Sequence, residues 1–272
     1  MRRRPLRHVT FMLGVGITLL LLATAALSLA WTPTDPLAMS IDGRLAAPTA
    51  AHPFGTDQFG RDLLSRVMDG ARTSIAVGVI AVGIGAFVGI VIGMLSGYIG
   101  GWCDETFMRL IDAVQGFPAI LSALLFTAVF GPGIVVSMVA VGIAFVPAFA
   151  RLTRGSFLEL RHREFVVAAE ALGARDRRLV VRHILPNTLA PLIVQATTSF
   201  PVAILAEAGL AYLGLGTQPP HPSWGLMLKD AQNFLSMSPG YALFPGGAIA
   251  LTVLGLNLVG DGLRDILDPK TA

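Results

Sequence analysis

The sequence predicts an all-α membrane protein with six transmembrane helices, and the prediction rests on the scarcity and the distribution of its charges. Of the 272 residues, 54% are hydrophobic and 14% are charged, whereas a soluble domain carries about 25% charged residues. The charges are absent in blocks rather than diluted throughout the chain. Each block is longer than the ~20 apolar residues with which a helix crosses the ~30 Å hydrocarbon core of a bilayer.

Five uncharged runs contain the predicted spans. They cover residues 8–34, 73–103, 113–150, 183–206 and 231–260. The longest run contains Gly131-Pro132-Gly133, a strong turn signal, and therefore predicts a hairpin of two spans. An uncharged stretch at 208–228 is excluded because its prolines break helices. The predicted spans are Val9–Trp31, Thr73–Tyr98, Phe107–Phe130, Ile134–Ala150, Asn187–Ala211 and Phe244–Gly260.

The basic residues predict the orientation of these spans. An even number of spans places both termini on one side, and fifteen of the twenty basic residues fall on that side, including Arg2, Arg3 and Lys270. The positive-inside rule makes it the cytoplasmic side. The basic charge is thus a topology signal rather than a sign of nucleic-acid binding. Ser28-Leu29-Ala30 resembles a signal cleavage site, but the apolar stretch before it exceeds the about 7–15 residues of a signal peptide, which favours a retained first span.

A stripe of glycines marks the second predicted span. Gly85, Gly89, Gly93 and Gly97 recur every four residues and share one helix face. Such a stripe lets a neighbouring backbone approach closely in a membrane. The pattern predicts tight helix packing, and the alternative interpretation is a mobile transporter core.

The cytoplasmic loop between the fourth and fifth spans carries most of the functional argument. Residues 151–186 hold eight arginines. Within them, Glu164–Leu172 has helical periodicity, with Phe165, Ala168, Ala169 and Leu172 on one face, and Gly173 supplies a helix end. A basic segment of this kind could bind anionic lipid. A face of paired alanines suits a protein groove better, so the pattern predicts a docking helix.

This loop resembles a known family. Residues 164–174 (EFVVAAEALGA), followed by 182–187 (RHILPN), resemble the EAA loop of permease subunits in ATP-binding-cassette (ABC) importers. The alanine pair, the glycine four residues after the second alanine and the closing Leu-Pro all match. Two positions depart, since Val167 stands where glutamate is usual and His183 where isoleucine is usual.

Three further segments are similar to the C-type permease of the dipeptide/oligopeptide/nickel branch. They are residues 52–66, 207–216 and 257–269. The resemblance implies a type I ABC importer transmembrane domain in a bacterial inner membrane, with both termini cytoplasmic. The expected organisation is an N-terminal segment, 1–72, of tail, first span and external interfacial segment, followed by a core permease domain, 73–272. The implied partners are a second homologous permease, two ABC ATPase subunits, an extracytoplasmic solute-binding protein and membrane lipid.

The resemblance also assigns roles by matching position. Ala168, Ala169 and Gly173 would seat the loop in a groove of an ATPase, with Arg175 and Asp176 as flanking contacts. Glu164 or Glu170 would replace the acid missing at position 167. ATP and Mg would be bound by the partner ATPase subunits, and this chain would carry no cofactor.

The sequence contains no enzyme motif. A P-loop needs Gly-Lys-Ser/Thr, but Lys229 follows Leu228 and Lys270 follows Pro269. The five histidines are scattered, so no metal site is expected. No nucleophile with an attendant base indicates an intramembrane hydrolase. Glu207, an acid near the external end of the fifth span, is a candidate for the pathway or an external gate, or else for a residue that pairs across the subunit interface.

Two amphipathic segments are expected at the external membrane interface, Asp57–Arg72 and Trp224–Leu235. The resemblance adds contact with the solute-binding protein. The alternative from another class is a secondary transporter driven by an ion gradient, with Glu207 as the ion carrier. Within the importer hypothesis, dipeptides or oligopeptides are the expected cargo, and nickel chelates or other small solutes remain open.

Overall fold

The structure, a computed structural model, describes residues 4–267, with side chains from residue 9 onward. Most of this range is helical. The elements are α1 (Arg4–Ala30), α2 (Leu63–Ile99), α3 (Gly101–Gln115), α4 (Ala119–Phe130), α5 (Ile134–Leu160), α6 (Glu164–Ala171), α7 (Asp176–Arg178), a π-helical turn (Leu179–Ile184), α8 (Leu185–Tyr212), α9 (Trp224–Ala231), a 3-10 turn (Gln232–Phe234) and α10 (Gly240–Leu267). Arg2, Arg3 and Lys270 lie outside the described residues, as do the side chains of Arg4 and Arg7.

Helices long and apolar enough to cross a membrane account for most of the chain. Within the described residues there are five such helices: α1, α2, α5, α10 and the continuous helix formed by α7, the π-helical turn and α8. The pair α3 and α4 passes the same test together but is bent by 86°. The third predicted span is therefore a broken one. Pro118 accounts for the break, because proline disfavours a helical conformation at the residue before it.

Two further boundaries differ from the prediction. The segment Asp57–Arg72 is not a separate interfacial helix, since α2 runs unbroken from Leu63 to Ile99 over 37 residues. Asp62 begins it by accepting a hydrogen bond from the backbone N–H of Ser65 at 2.7 Å. The fifth span begins before Pro186, because the π-helical turn accommodates a proline ring that would clash in a regular α-helix.

The two ends of α2 define the two ends of the bundle. At its start, the indole N–H of Trp224 in α9 donates to the carbonyl of Val67 at 3.0 Å. At its finish, the hydroxyl of Tyr98 donates to Asp176 in α7 at 2.7 Å. We name these the α9 end and the α6 end. Helix α9 itself is buried along most of its length rather than lying at a membrane surface, with Trp224 and Met227 packed among α2 and α10.

The interface between α2 and α5 is the most extensive in the bundle. All four glycines of the stripe face α5. A Cβ atom added to Gly85 would lie 2.5 Å from the Cβ of Phe145, and one added to Gly97 would lie 2.8 Å from that of Phe157. Side chains larger than hydrogen would force the helices apart. Helix α1 packs on α10 in a similar way, where Gly255 receives Ile17.

Candidate functional site

Helix α6 is a short, surface helix at the α6 end of the bundle. It starts after the extended residue Arg163 and ends in a Schellman motif, in which the N–H of Gly173 donates to the carbonyl of Glu170 and that of Ala174 to Ala169, at 2.8 and 3.0 Å. Gly173 has a φ of +83°, and nothing lies within 4 Å of where its Cβ would be. Glycine is thus needed here for its backbone conformation and not for space.

One face of α6 is held by the bundle. Val166 is 2% exposed and packs in a cluster with Phe157, Leu179 and Ile184. Ala169 is partly buried against the same cluster. The predicted docking face is therefore divided, since Ala169 turns towards the bundle and Ala168 does not.

The other face of α6 is open. Glu164, Ala168 and Glu170 are exposed, and Leu172, just after the helix, is 90% exposed. Phe165 is 42% exposed. An apolar surface of this kind on a helix fixed from behind is typical of a docking surface. We call the set Glu164, Phe165, Ala168 and Leu172 the open face of α6.

A clamp that the sequence does not reveal ties the loop to the end of α2. The Tyr98 hydroxyl donates to the Asp176 carboxylate at 2.7 Å, and an Arg161 N–H donates to the Tyr98 carbonyl at 2.9 Å. The Arg161 guanidinium also lies 5.5 Å from the centre of the Tyr98 ring. Asp176 is exposed but oriented by this contact, while Arg175 is exposed in the extended residue that precedes α7. Tyrosine is common where a span meets the membrane interface, so nothing in the sequence marked Tyr98 as a residue that holds the loop.

A second tie joins α3 to α2 and α5. Asp104 in α3 accepts two hydrogen bonds from the Arg154 guanidinium, from Nε at 2.5 Å and from Nη2 at 2.6 Å. The hydroxyl of Ser96 in α2 donates to the same carboxylate. A bidentate pair of this kind restrains both distance and angle. Together with the glycine stripe, it makes α2, α3 and α5 a connected unit whose end carries α6.

Glu207 lies inside the bundle at the α9 end. Its side chain is fully buried, and one carboxylate oxygen accepts a hydrogen bond from the Thr217 hydroxyl at 3.2 Å. Ser223, which caps α9, approaches the same carboxyl group. Glu207 lines none of the three cavities described below. Its contacts lie within this chain and join α8 to the segment that leads into α9, so they are not the predicted pairing across a subunit interface.

A buried charge cluster, also missed by the sequence reading, fixes the segment before α2. Asp57, Arg61 and Arg66 are all at most 3% exposed. The Asp57 carboxylate accepts from Arg61 Nε at 2.6 Å, and its closest approach to Arg66 Nε is 3.5 Å. Two backbone N–H groups, those of Phe59 and Arg61, also donate to Asp57. Ions taken out of water need such partners, so these residues shape the segment rather than face the membrane surface.

Asp230 in α9 borders this cluster. Burial raises the pKa of Asp230 above its ordinary value, and the nearby guanidinium groups of Arg66 and Arg61 counteract only part of that effect. Within the folded protein the neutral form of this carboxyl group is therefore favoured more than in the unfolded chain.

The cavities in the described part of the bundle include three that bear on function. One of about 780 Å³ lies at the α9 end and is lined by both charged and polar side chains, among them Asp69, Arg72 and His221. One of about 560 Å³ lies at the α6 end between α5, α8 and α10. A small apolar one of about 80 Å³ lies between α4, α5 and α8.

The fold resembles the transmembrane chains of known importers. A chain of the inward-facing MetNI methionine ABC transporter superposes with a TM-score of 0.59 at 17% identity, covering 73% of this chain and 94% of that one. A chain of an amino acid ABC transporter gives a TM-score of 0.56 at 15% identity, covering 72% and 91%. At these identities the likeness concerns the fold. The architecture is that of a type I ABC importer transmembrane domain.

The family is shown by sequence. The model of the binding-protein-dependent transport system inner membrane component matches residues 89–272, and this chain belongs to that family. It is 45% identical over 254 residues to the dipeptide transport system permease protein DppC of Alkalihalophilus pseudofirmus, covering 93% of this chain and 82% of the relative. It is 42% identical over 270 residues to the glutathione transport system permease protein GsiD of Pectobacterium atrosepticum, covering 98% and 89%. The chain is a multi-pass membrane permease component.

Proposed function

We propose that this chain forms half of the translocation pathway of an ATP-driven importer of small peptides and couples that pathway to cytoplasmic ATPase subunits through α6. It pairs with a second, homologous permease and receives its cargo from an external solute-binding protein. ATP and Mg are bound by the ATPase subunits. The names of the relatives, which refer to dipeptides and glutathione, favour small peptides over nickel chelates.

The observation that carries the coupling role is the open face of α6. The helix is anchored from behind by Val166 and closed by the Gly173 turn, yet it presents Ala168 and Leu172 outward. Small residues permit close approach of a partner, while the flanking apolar side chains supply area to bury. Glu164, within the open face, and Glu170, beside it, add negative charge.

The ties described above supply a route for movement. An ATPase that draws α6 with it would act on α2 through Tyr98 and Asp176, and on α5 through the continuous chain after Leu160. Since α2 and α5 are locked by the glycine stripe, they would tilt together rather than slide. Alternation between inward-open and outward-open states then needs no chemistry on this chain.

The orientation belongs to the same proposal. The α6 end, with most of the described arginines, faces the cytoplasm, and the α9 end faces the solute-binding protein. Both termini then lie in the cytoplasm. The cavity of about 780 Å³ opens on the external side.

An ion-gradient mechanism receives no support from Glu207. A carrier carboxylate needs access to the pathway, whereas the Glu207 side chain is fully buried and does not line the cavity at the α9 end, which only its partner Thr217 reaches.

The experiment is purification of the complex from membranes through a tag on this chain, carrying either Ala168→Arg or Gly155→Arg. Gly155 lies near the same end of the bundle, is exposed, and has open space where a Cβ would be. We expect ATPase subunits to co-purify with the native chain and with Gly155→Arg, and to be lost with Ala168→Arg. An Ala168→Arg complex that keeps its ATPase subunits and transports normally would refute the docking role of α6.

A further inference from the structure

Helix α8 has two different exposed halves. One stripe along the helix carries the exposed Asn187 and Thr198 and the partly exposed Gln195 in the half near the α6 end, and the exposed Val202 and Leu205 in the other half. A second exposed face near the α6 end is apolar and carries Leu189 and Ile193, each 47% exposed. Lipid-facing residues elsewhere are apolar, as in α4, where Leu125 and Val129 are 66% and 69% exposed. Hydrocarbon does not solvate amides and hydroxyls, so a polar half-face that the subunit itself leaves open indicates water rather than lipid.

A cavity lies on this polar half. The space of about 560 Å³ at the α6 end is lined from α8 by Ala190, Pro191, Val194, Gln195 and Thr198, with Leu152 from α5 and Arg264 and Leu267 from α10. Another face of α8 is buried in the bundle, where Leu192 is 4% exposed and Ala203 is 0% exposed. The polar residues thus border the cavity, whereas the apolar Leu189 and Ile193 are exposed on a different face of the same helix.

The backbone of α8 at Pro191 also favours a water-filled space on this side of the helix. Pro191 has no N–H to give to the carbonyl of Asn187, four residues earlier in the helix. A carbonyl without its helical partner is tolerated within a membrane where it borders a water-filled space. Pro191 lines the cavity, which supplies such a space.

The hydrogen bonds made by the polar side chains define what they can offer a solute. The Thr198 hydroxyl donates to the carbonyl of Gln195 at 3.0 Å, the Gln195 amide donates to Ser199 Oγ at 3.2 Å, and the Asn187 amide donates to the carbonyl of His183 at 2.6 Å. The Thr198 proton is used within the helix, while each amide keeps its side-chain oxygen and one N–H, so this face offers acceptors together with some donors. Acceptors suit the N–H and ammonium groups of a peptide, and the guanidinium of Arg264 suits its carboxylate.

We infer that this half-face of α8, Pro191, Gln195 and Thr198 with Arg264 opposite, forms the inner wall of the translocation pathway and carries zwitterionic solutes such as peptides. The inference rests on the proposed function, which leaves the pathway-lining residues unassigned. A wall of neutral polar groups with one cation binds such a solute weakly, which suits release into the cytoplasm.

The test uses the complete transporter with Cys103 replaced by serine and a single new cysteine, Thr198→Cys or Gln195→Cys, in membrane vesicles that expose the α6 end. Ile193→Cys is the matched control, because Ile193 is also on α8 and 47% exposed but points about 140° away from Thr198. The probe is a charged, membrane-impermeant maleimide.

Only a hydrated thiolate reacts readily, so we expect residues 195 and 198 to label at least about tenfold faster than 193. In vesicles that expose the α6 end an importer moves its cargo outward, so labelling at 198 should also block ATP-driven release of peptide from vesicles loaded with the peptide and its solute-binding protein. Equal rates, faster labelling at 193, or unchanged release after complete labelling at 198 would overturn the inference. Peptide release and ATPase co-purification are measured on the same preparations before labelling. If both are intact and the labelling pattern fails, only the pathway assignment falls; if both are absent in the unlabelled transporter, the proposed function falls and this inference with it.

Discussion

Replacement of Gly89 by alanine tests whether α2 and α5 are locked to each other. A Cβ atom at this position would lie 2.5 Å from the Cβ of Phe149, 2.8 Å from the carbonyl oxygen of Val146 and 2.9 Å from the amide nitrogen of Ala150. Carbon atoms pack at about 3.5–4.0 Å. Two of the three neighbours are backbone atoms and Phe149 is fully buried, so no side-chain rotation relieves the overlap. The two helices would have to separate by about 1 Å.

The cost follows from this geometry. Inserting a methyl group into a packed interface costs about 1–3 kcal/mol. Alanine regains up to about 1 kcal/mol over glycine through its helix propensity. We therefore expect Gly89→Ala to destabilise the folded permease by about 1–2 kcal/mol. The rate of peptide uptake should fall by more than this loss of stability explains, because α2 and α5 would no longer move as one unit.

The matched control is Gly83→Ala on the same helix. Gly83 is exposed and nothing lies within 4 Å of its Cβ position, so only the gain in helix propensity applies. Thermal unfolding of the purified transporter in detergent compares the two variants. If Gly89→Ala unfolds at the same temperature as Gly83→Ala or above it, the close-packed interface is not what holds these helices together.

Three further outcomes follow from the contacts described. Tyr98→Phe removes one hydrogen bond to Asp176, worth about 1 kcal/mol, and we expect more ATP hydrolysed per peptide imported with little change in melting temperature; an unchanged ratio contradicts the clamp. Asp57→Asn leaves two buried guanidinium groups without their carboxylate, and unfolding should become easier by about 3 kcal/mol or more, measured by thermal melts. The pKa of Asp230 is higher in the folded protein than in the unfolded chain, so protonation of this group favours the folded state. This contribution to stability is present at low pH and is lost as the pH rises through the folded-state pKa. Asp230→Asn should therefore stabilise the protein at neutral pH and flatten melting curves across pH, and an unaltered pH dependence would contradict this.

The fold could be predicted from the sequence wherever a pattern is local. Uncharged blocks mark the spans because hydrocarbon excludes charge, and the glycine period marks a helix face because only glycine permits backbone contact there. Helix α6 was predicted close to its observed bounds, since Gly173 ends it through a conformation that other residues rarely adopt.

Features that depend on tertiary contacts escaped prediction. The charges of Asp57, Arg61 and Arg66 look like a hydrophilic helix face, yet they are buried because they satisfy one another. No local pattern distinguishes a paired arginine from an exposed one. Pro118 is a helix breaker, but the uncharged run around it predicted one continuous span. The structure shows that this span is bent by 86°.

The residues of the candidate functional site show the same contrast between local patterns, which could be predicted, and tertiary contacts, which could not. Periodicity placed Ala168 and Ala169 on a single face, whereas the cluster around Val166 draws Ala169 inward and leaves Ala168 out. Tyr98 was missed because its partner, Asp176, lies far along the chain. Glu207 was singled out as an acid within a span, but only the structure shows that it is fully buried and does not itself line the cavity at the α9 end.

The proposed coupling of this chain to ATPase subunits depends most on the identity of the protein that covers α6. A photoactivatable maleimide attached to Ala168→Cys, with Cys103 replaced by serine, reports this directly when the whole complex is illuminated in membranes. We expect a covalent product with an ATPase subunit and little or none from the same probe at Gly155→Cys. Products with lipid alone from position 168, or equal ATPase products from both positions, would contradict the claim that α6 is the contact through which ATP hydrolysis drives this permease.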